Sequence, residues 1–246
     1  MPKLNDSMKA VTSANNYHFT ATRVQDLGAS EYTLVTIICD VSTSVACYRD
    51  QLEACIKAVL GSCRLSPRAE NLMLRLCAFN NSLTELHGFK ELRLIQDSDY
   101  NGIIKVSGAT ALYEASFEGI DATAGYGRML VSRGFSANAI VFVITDGEDN
   151  SSRRNPKQIA DLLRSIRSEE NLETLTTLLV GVTQKQAITR YLTEFREQAE
   201  LDHYLDLGAT SSDALAGLAG FMSRSINMAS MSLGSGLPNM AVPLQI

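Results

Sequence analysis

TLVTIICDVSTS, residues Thr33 to Ser44, is the stretch on which the reading of this chain turns. Its core, Leu34-Val35-Thr36-Ile37-Ile38-Cys39, lacks the polar alternation of a half-exposed strand. Such a run predicts a strand buried on both faces, as in a parallel sheet. Asp40, Ser42 and Ser44 follow at alternate positions. They place hard oxygen donors at the carboxyl end of a buried strand, where open α/β sheets bind ligands. Three uses are open to them: holding a metal, capping the next helix, or attacking a substrate.

Outward from there the pattern alternates. Leu52, Cys55, Ile56, Val59 and Leu60 make one helical stripe, which Gly61 and Pro67 are expected to close. Asn71 to Phe79 reads as a strand, and Leu83 to Leu94 as a shorter strand and turn at the sheet edge. A polar connection, Asp97 to Thr110, leads into a helix from about Ala111 that Gly119 and the GYG at 125–127 should make imperfect. Ala139 to Thr145, AIVFVIT, is a second strand apolar on both faces, and it too ends in acid: Asp146-Gly147-Glu148-Asp149-Asn150. Asn155-Pro156 suits a helix start. Thr174 to Val182 reads as a strand, Thr183 with Gln186 as a capping box, Tyr204 to Leu207 as a short strand, and the stretch from about Ser212 as a last helix. Strands alternating with helices predict an α/β, doubly wound, mostly parallel sheet covered on both faces, with one short antiparallel edge strand. The expected division is an N-terminal arm, 1–30, irregular or with one weak strand; a domain, 31–228; and a flexible tail, 229–246, rich in Gly, Ser and Pro.

Composition narrows the function classes. A net charge of −5 and a pI near 5.3 give no electrostatic footprint for nucleic acid or an anionic membrane. No apolar stretch reaches the roughly 20 residues that span a bilayer, and no basic-then-apolar leader is present, so a soluble, cytoplasmic setting is expected. The five cysteines include no CxxC pair and read as reduced, mostly buried thiols. His18, His87 and His203 form no metal spacing.

DVSTS (Asp40–Ser44), GAT followed by Ala111-Leu112 (Gly108–Thr110), and ITDG (Ile144–Gly147) stand in an order and approximate spacing that resemble the metal-ion-dependent adhesion site of von Willebrand factor A-type domains, also called the integrin inserted-domain fold. The resemblance covers about Tyr32 to Asn227. It implies that Ser42, Ser44 and Thr110 coordinate a cation through their hydroxyls, with Asp40 and Asp146 acting directly or through water. Asp, Ser and Thr oxygens suit Mg²⁺ or Mn²⁺, and no thiolate or imidazole favours zinc. Largely neutral ligands leave a cation free to take a carboxylate from a partner. The resemblance therefore implies a cation-dependent protein-interaction module. Intracellular relatives often serve as adaptors for AAA+ ATPases or in stress-response systems. Two departures stand in the motif region: Thr43 occupies a position commonly Gly in that family, and Glu148 and Asp149 add negative charge close to the site.

Taken singly, Ser42, Ser44 and Thr110 would serve as helix caps, and Asp146 before Gly147 as a turn residue. An enzyme reading, a haloacid-dehalogenase-like phosphatase, also starts from a buried strand ending in Asp. It needs a second Asp as general acid two residues on, where this chain has Ser42. A metal-free domain that assembles through its helices or tail is the third reading. The expectation is a binding module and not an enzyme.

Overall fold

Both long apolar runs are buried strands lying side by side. The computed structural model describes residues 8–169, 171–208 and 211–233. β3 (Glu31–Asp40) is buried from Tyr32 to Asp40, and β6 (Ser136–Thr145) from Ala137 to Thr145. They pair in parallel, with Leu34 opposite Ala139 and Cys39 opposite Ile144, so Asp40 and Thr145 finish at one edge. The remaining strands are β1 (Met8–Thr12), β2 (His18–Thr22), β4 (Leu72–Phe79), β5 (Leu83–Glu91), β7 (Leu175–Gly181) and β8 (His203–Asp206), in the sheet order β1-β2-β5-β4-β3-β6-β7-β8. The five strands β3, β4, β6, β7 and β8 are parallel. From β3 the chain first adds β4 on one side and later β6 on the other. The order reverses at β3, so the carboxyl ends of β3 and β6 frame the switch point, called the crevice below, where open α/β sheets bind ligands.

Helices cover both faces. α1 (Arg49–Arg64) and α5 (Ser212–Ser232) pack on Val35, Ile37, Leu74, Ile140 and Phe142. α2 (Leu112–Val131), α3 (Pro156–Ser168) and α4 (Gln186–Gln198) pack on the side of Ile38, Phe79, Val141 and Leu179. This is the expected doubly wound α/β class, consistent with a von Willebrand factor A-like fold.

Several local readings change. The stretch read as an irregular arm contributes two strands: β1 and β2 form an antiparallel hairpin, and Ala21 of β2 pairs with Phe89 of β5. β5 does run antiparallel to β4, but the hairpin extends the sheet past it. Polar anchors far along the chain hold the hairpin. The fully buried Asp121 of α2 accepts bonds from the hydroxyl of Ser13 and the side-chain amide of Asn15. Arg75, also fully buried, joins Glu85 at 2.9 Å and the Tyr17 hydroxyl at 3.0 Å.

α1 continues past Gly61 to Arg64. α2 runs unbroken through its glycines because the missing side chains let it approach the sheet: a Cβ on Gly119 would lie 2.2 Å from Ile38 Cδ1. Asn155 does start α3, in a capping box with Gln158. Thr183 forms no such box. Lys185 is the N-cap of α4, and the Thr183 hydroxyl instead accepts from the Lys185 amide at 3.2 Å. α5 extends to Ser232, past the expected start of the tail, and the rest of that tail, 234–246, lies outside the described residues. Among the described residues no helix is long and apolar enough to cross a membrane. Cys39, Cys55, Cys63 and Cys77 are buried free thiols, while Cys47 is exposed.

Candidate metal site

The crevice is built by three loops. After Asp40 the chain turns into a 3-10 segment, Thr43–Cys47, whose N-cap is Ser42. The Ser42 side chain makes no capping bond. Its hydroxyl faces that of Ser44 at 3.2 Å, and the Ser44 hydroxyl donates to Oδ1 of Asp146 at 2.7 Å. Thr110 likewise is not a cap, since Ala111 occupies that position before α2 without a side-chain bond. The hydroxyls that a local reading would assign to helix ends are therefore free for the crevice.

Asp40 sits beneath them, 1% exposed. Its Oδ1 accepts from the Ser42 amide and its Oδ2 from the Thr145 hydroxyl, both at 2.7 Å. Burial pushes the Asp40 carboxyl above its ordinary range; the bonds from Ser42 and Thr145 act against that, and the charge of Asp146 adds to it. Burial raises Asp146 too, opposed by bonds from Ser44 and Tyr48 and by the charge of Lys185. Burial is the main cause of both shifts.

The Thr110 loop is tied to both others. The Thr43 amide and hydroxyl donate to the Gly108 carbonyl at 3.3 and 3.1 Å, and the Ser107 amide donates to the Val41 carbonyl at 2.9 Å. Gly108 holds φ +81°, a conformation that disfavours a side chain, and a Cβ there would lie 2.3 Å from Asn81 Oδ1. On the other side, Asn150 and Thr110 bond reciprocally: the Thr110 amide reaches Asn150 Oδ1 at 2.8 Å, and the Asn150 amide reaches the Thr110 carbonyl at 2.9 Å.

Four of the five predicted residues are brought together at the carboxyl end of the sheet, and the fifth, Thr110, is on a loop tied to theirs through Gly108 and Asn150. Asp40, Ser42, Ser44 and Asp146 are linked through hydrogen bonds, and Thr110 is 4% exposed. The departures read differently in three dimensions. Thr43 is exposed and its hydroxyl adds a second tie to Gly108, so its side chain fits the turn. Asp149 is engaged by its surroundings: its carboxylate accepts the amides of Tyr113 and Ser152 at 3.2 and 3.1 Å, and its own amide donates to the Tyr191 hydroxyl at 3.0 Å. Glu148 is exposed. Sequence reading missed Thr145, Tyr48 and Asn150. Thr145 was the traceable one, a hydroxyl at the end of the second buried strand, next to Asp146.

The donor set suits a hard cation. Neighbouring ligands of an octahedral ion with bonds of about 2.1 Å lie about 3 Å apart, and the Ser42–Ser44 and Ser44–Asp146 oxygens are 3.2 and 2.7 Å apart. Among the described residues there is no cluster of three His, Cys, Asp or Glu side chains, so a metal in this crevice would rest on hydroxyls as much as on carboxylates.

No family model and no curated protein matches the chain. Solved structures do resemble it in fold. A mutant of the PilB minor pilin from Streptococcus sanguinis aligns with a TM-score of 0.61 at 12% identity, over 88% of this chain and 66% of that one. The pilus adhesin SpaC from Lactobacillus rhamnosus GG, in its open conformation, gives 0.55 at 11% identity, over 92% and 35%. Proximal thread matrix protein 1 from the mussel byssus gives 0.50 at 14% identity, over 91% and 48%. The chain spans between 35% and 66% of the length of these structures. At such identities the likeness is one of fold.

Proposed function

We propose that the chain is a cation-dependent protein-interaction module whose crevice holds Mg²⁺ or Mn²⁺ on Ser42, Ser44 and Thr110, with Asp40 and Asp146 as direct or water-bridged acids. The observation that carries the reading is the chain of oxygens from Ser42 through Ser44 to Asp146, spaced as neighbouring ligands and free of capping duties. A bound cation would place positive charge beside two carboxyls and present an open position to a partner's acidic side chain.

The partner we propose is a protein that offers a carboxylate, in the manner of an adaptor; an AAA+ ATPase is the candidate from the family resemblance. The chain itself is proposed to catalyse nothing. The phosphatase alternative lacks its general acid, because Ser42 stands where the second Asp would be. Affinity capture in Mg²⁺ and in EDTA tests the reading. A protein partner retained only with Mg²⁺, and lost in Asp146→Ala, supports it. Capture indifferent to EDTA and to that substitution overturns it, as does hydrolysis of an aryl phosphate that depends on Asp40.

A further inference from the structure

At the opposite edge of the sheet a cleft of about 940 Å³ lies between the N-terminal hairpin and the end of α2. Its apolar floor is Val24, Leu27, Met129 and Phe135, each partly buried against the Phe19–Tyr126 core. Lys9 from β1, Arg23 from the end of β2 and Arg133 beyond α2 form its rim. All three are exposed. Most arginines of this acidic chain have carboxylate partners, Arg64 with Asp97, Arg128 with Glu169 and Arg167 with Asp202 among them. Among the described residues none of the three rim cations has an ion pair.

A cation just past a helix carboxyl end is favoured by the helix dipole, which accounts for Arg133 alone. It does not account for Lys9 and Arg23, which come from the facing wall. A Lys on an edge strand discourages strand pairing, which accounts for Lys9 but not for an apolar floor beside it. A concave apolar surface with a few convergent charged groups, in a volume within the usual range for ligands, has the attributes of a small-molecule site.

We infer that this cleft binds a small anionic amphiphile: an apolar body on Val24, Leu27, Met129 and Phe135, with a carboxylate, sulfonate or phosphate head on Arg23 and Arg133. The ten residues of β6, about 33 Å at roughly 3.3 Å per residue, separate it from the Asp40 crevice, so it is independent of any cation there.

The probe is anilinonaphthalene sulfonate, which joins an apolar ring system to one anionic group. The full chain should enhance its fluorescence saturably, with an affinity that falls as salt is added. Arg23→Glu with Arg133→Glu should weaken binding by about tenfold or more, the scale of one lost charge-assisted contact. Met129→Glu should do the same from the floor. EDTA and Asp146→Ala should leave it unchanged. Circular dichroism and melting temperature of the variants establish that they fold. Unaltered dye affinity in folded charge-reversal variants overturns the inference, and so does dye binding that tracks Asp146→Ala. Sedimentation of the wild-type chain with phosphatidylglycerol vesicles, lost in the double variant, would overturn it in favour of a membrane surface.

Discussion

Thr110 and Asn150 hold each other by two backbone-directed bonds, the Thr110 amide to Asn150 Oδ1 at 2.8 Å and the Asn150 amide to the Thr110 carbonyl at 2.9 Å. The pair ties the loop before α2, which carries Thr110, to the loop after β6, which carries Asp146. Ser152 and Glu114 reinforce it: the Ser152 hydroxyl accepts the Glu114 amide, and the Glu114 carboxylate accepts the amides of Arg153 and Arg154.

Asn150→Ala is therefore expected to weaken Mn²⁺ binding by about 10- to 100-fold, the usual effect of removing a group that orients ligands. Asn150→Asp keeps the acceptor for the Thr110 amide and should recover most of that loss. Titration of Mn²⁺ followed by electron paramagnetic resonance reads both. Equal affinity in all three proteins would mean that Asn150 does not orient the ligands.

Asp40 should burden the cation-free fold. Its carboxyl is raised by burial, so its favourable contribution is complete below the unfolded value near 3.9 and is lost as pH rises through the folded value. At neutral pH in EDTA, Asp40→Asn should be more stable than wild type in urea unfolding, while losing any stabilisation by Mg²⁺. A less stable Asp40→Asn in EDTA would contradict this.

His87 titrates with the opposite sign. It is buried against Tyr100, its Nδ1–H donating to the Gly88 carbonyl and its Nε2 accepting from the Tyr100 hydroxyl, and burial pushes its pKa down to about 4. A depressed folded value means that its contribution is present above the unfolded pKa near 6.5 and is lost as pH falls through about 4. The stability difference between wild type and His87→Gln should shrink over that window. An imidazole proton signal from His87 that titrates near 6.5 in the folded protein would refute the assignment.

Gly119→Ala should destabilise by about 1–3 kcal/mol through overpacking, less a helix-propensity gain of about 0.5–1 kcal/mol. The clash is with Ile38 Cδ1, an atom that valine lacks. Ile38→Val should therefore cost less in the Gly119→Ala background than in wild type, by about 1 kcal/mol in a double-mutant cycle. Strict additivity would mean that α2 does not rest on Ile38 at that point.

What could be read from the chain alone follows from range. β3 and β6 declare themselves through uninterrupted apolar runs whose ends carry Asp40 and Asp146; from these the layered fold follows, whereas the five candidate ligands come from the resemblance of three short motifs to a known family. Asn155-Pro156 marks the start of α3 within two residues, so that too was legible, while the Gln158 half of its capping box emerges only in the structure. The hairpin was not, because β1 and β2 are five residues each with little apolar patterning, and their anchors, Asp121 and Arg75, lie far along the chain. α2 was read as imperfect because glycine counts against a helix until the Ile38 side chain it accommodates is known. Asn150 and Asp149 escaped for the same reason: their partners are backbone amides of Thr110 and Tyr113, about 40 positions earlier in the chain, and an acidic loop gives no sign of which acid faces the crevice.

Thermal unfolding of wild type, Ser44→Ala and Asp146→Ala with EDTA, Mg²⁺ and Mn²⁺ decides whether the Asp40–Asp146 crevice is a divalent-cation site. The wild type should be stabilised by about 2.7 kcal/mol once free cation is about a hundredfold above its Kd, and both variants should lose this response while still melting cooperatively. A wild-type melting temperature indifferent to Mg²⁺ and Mn²⁺, or an equal rise in Asp146→Ala, would contradict a cation site there.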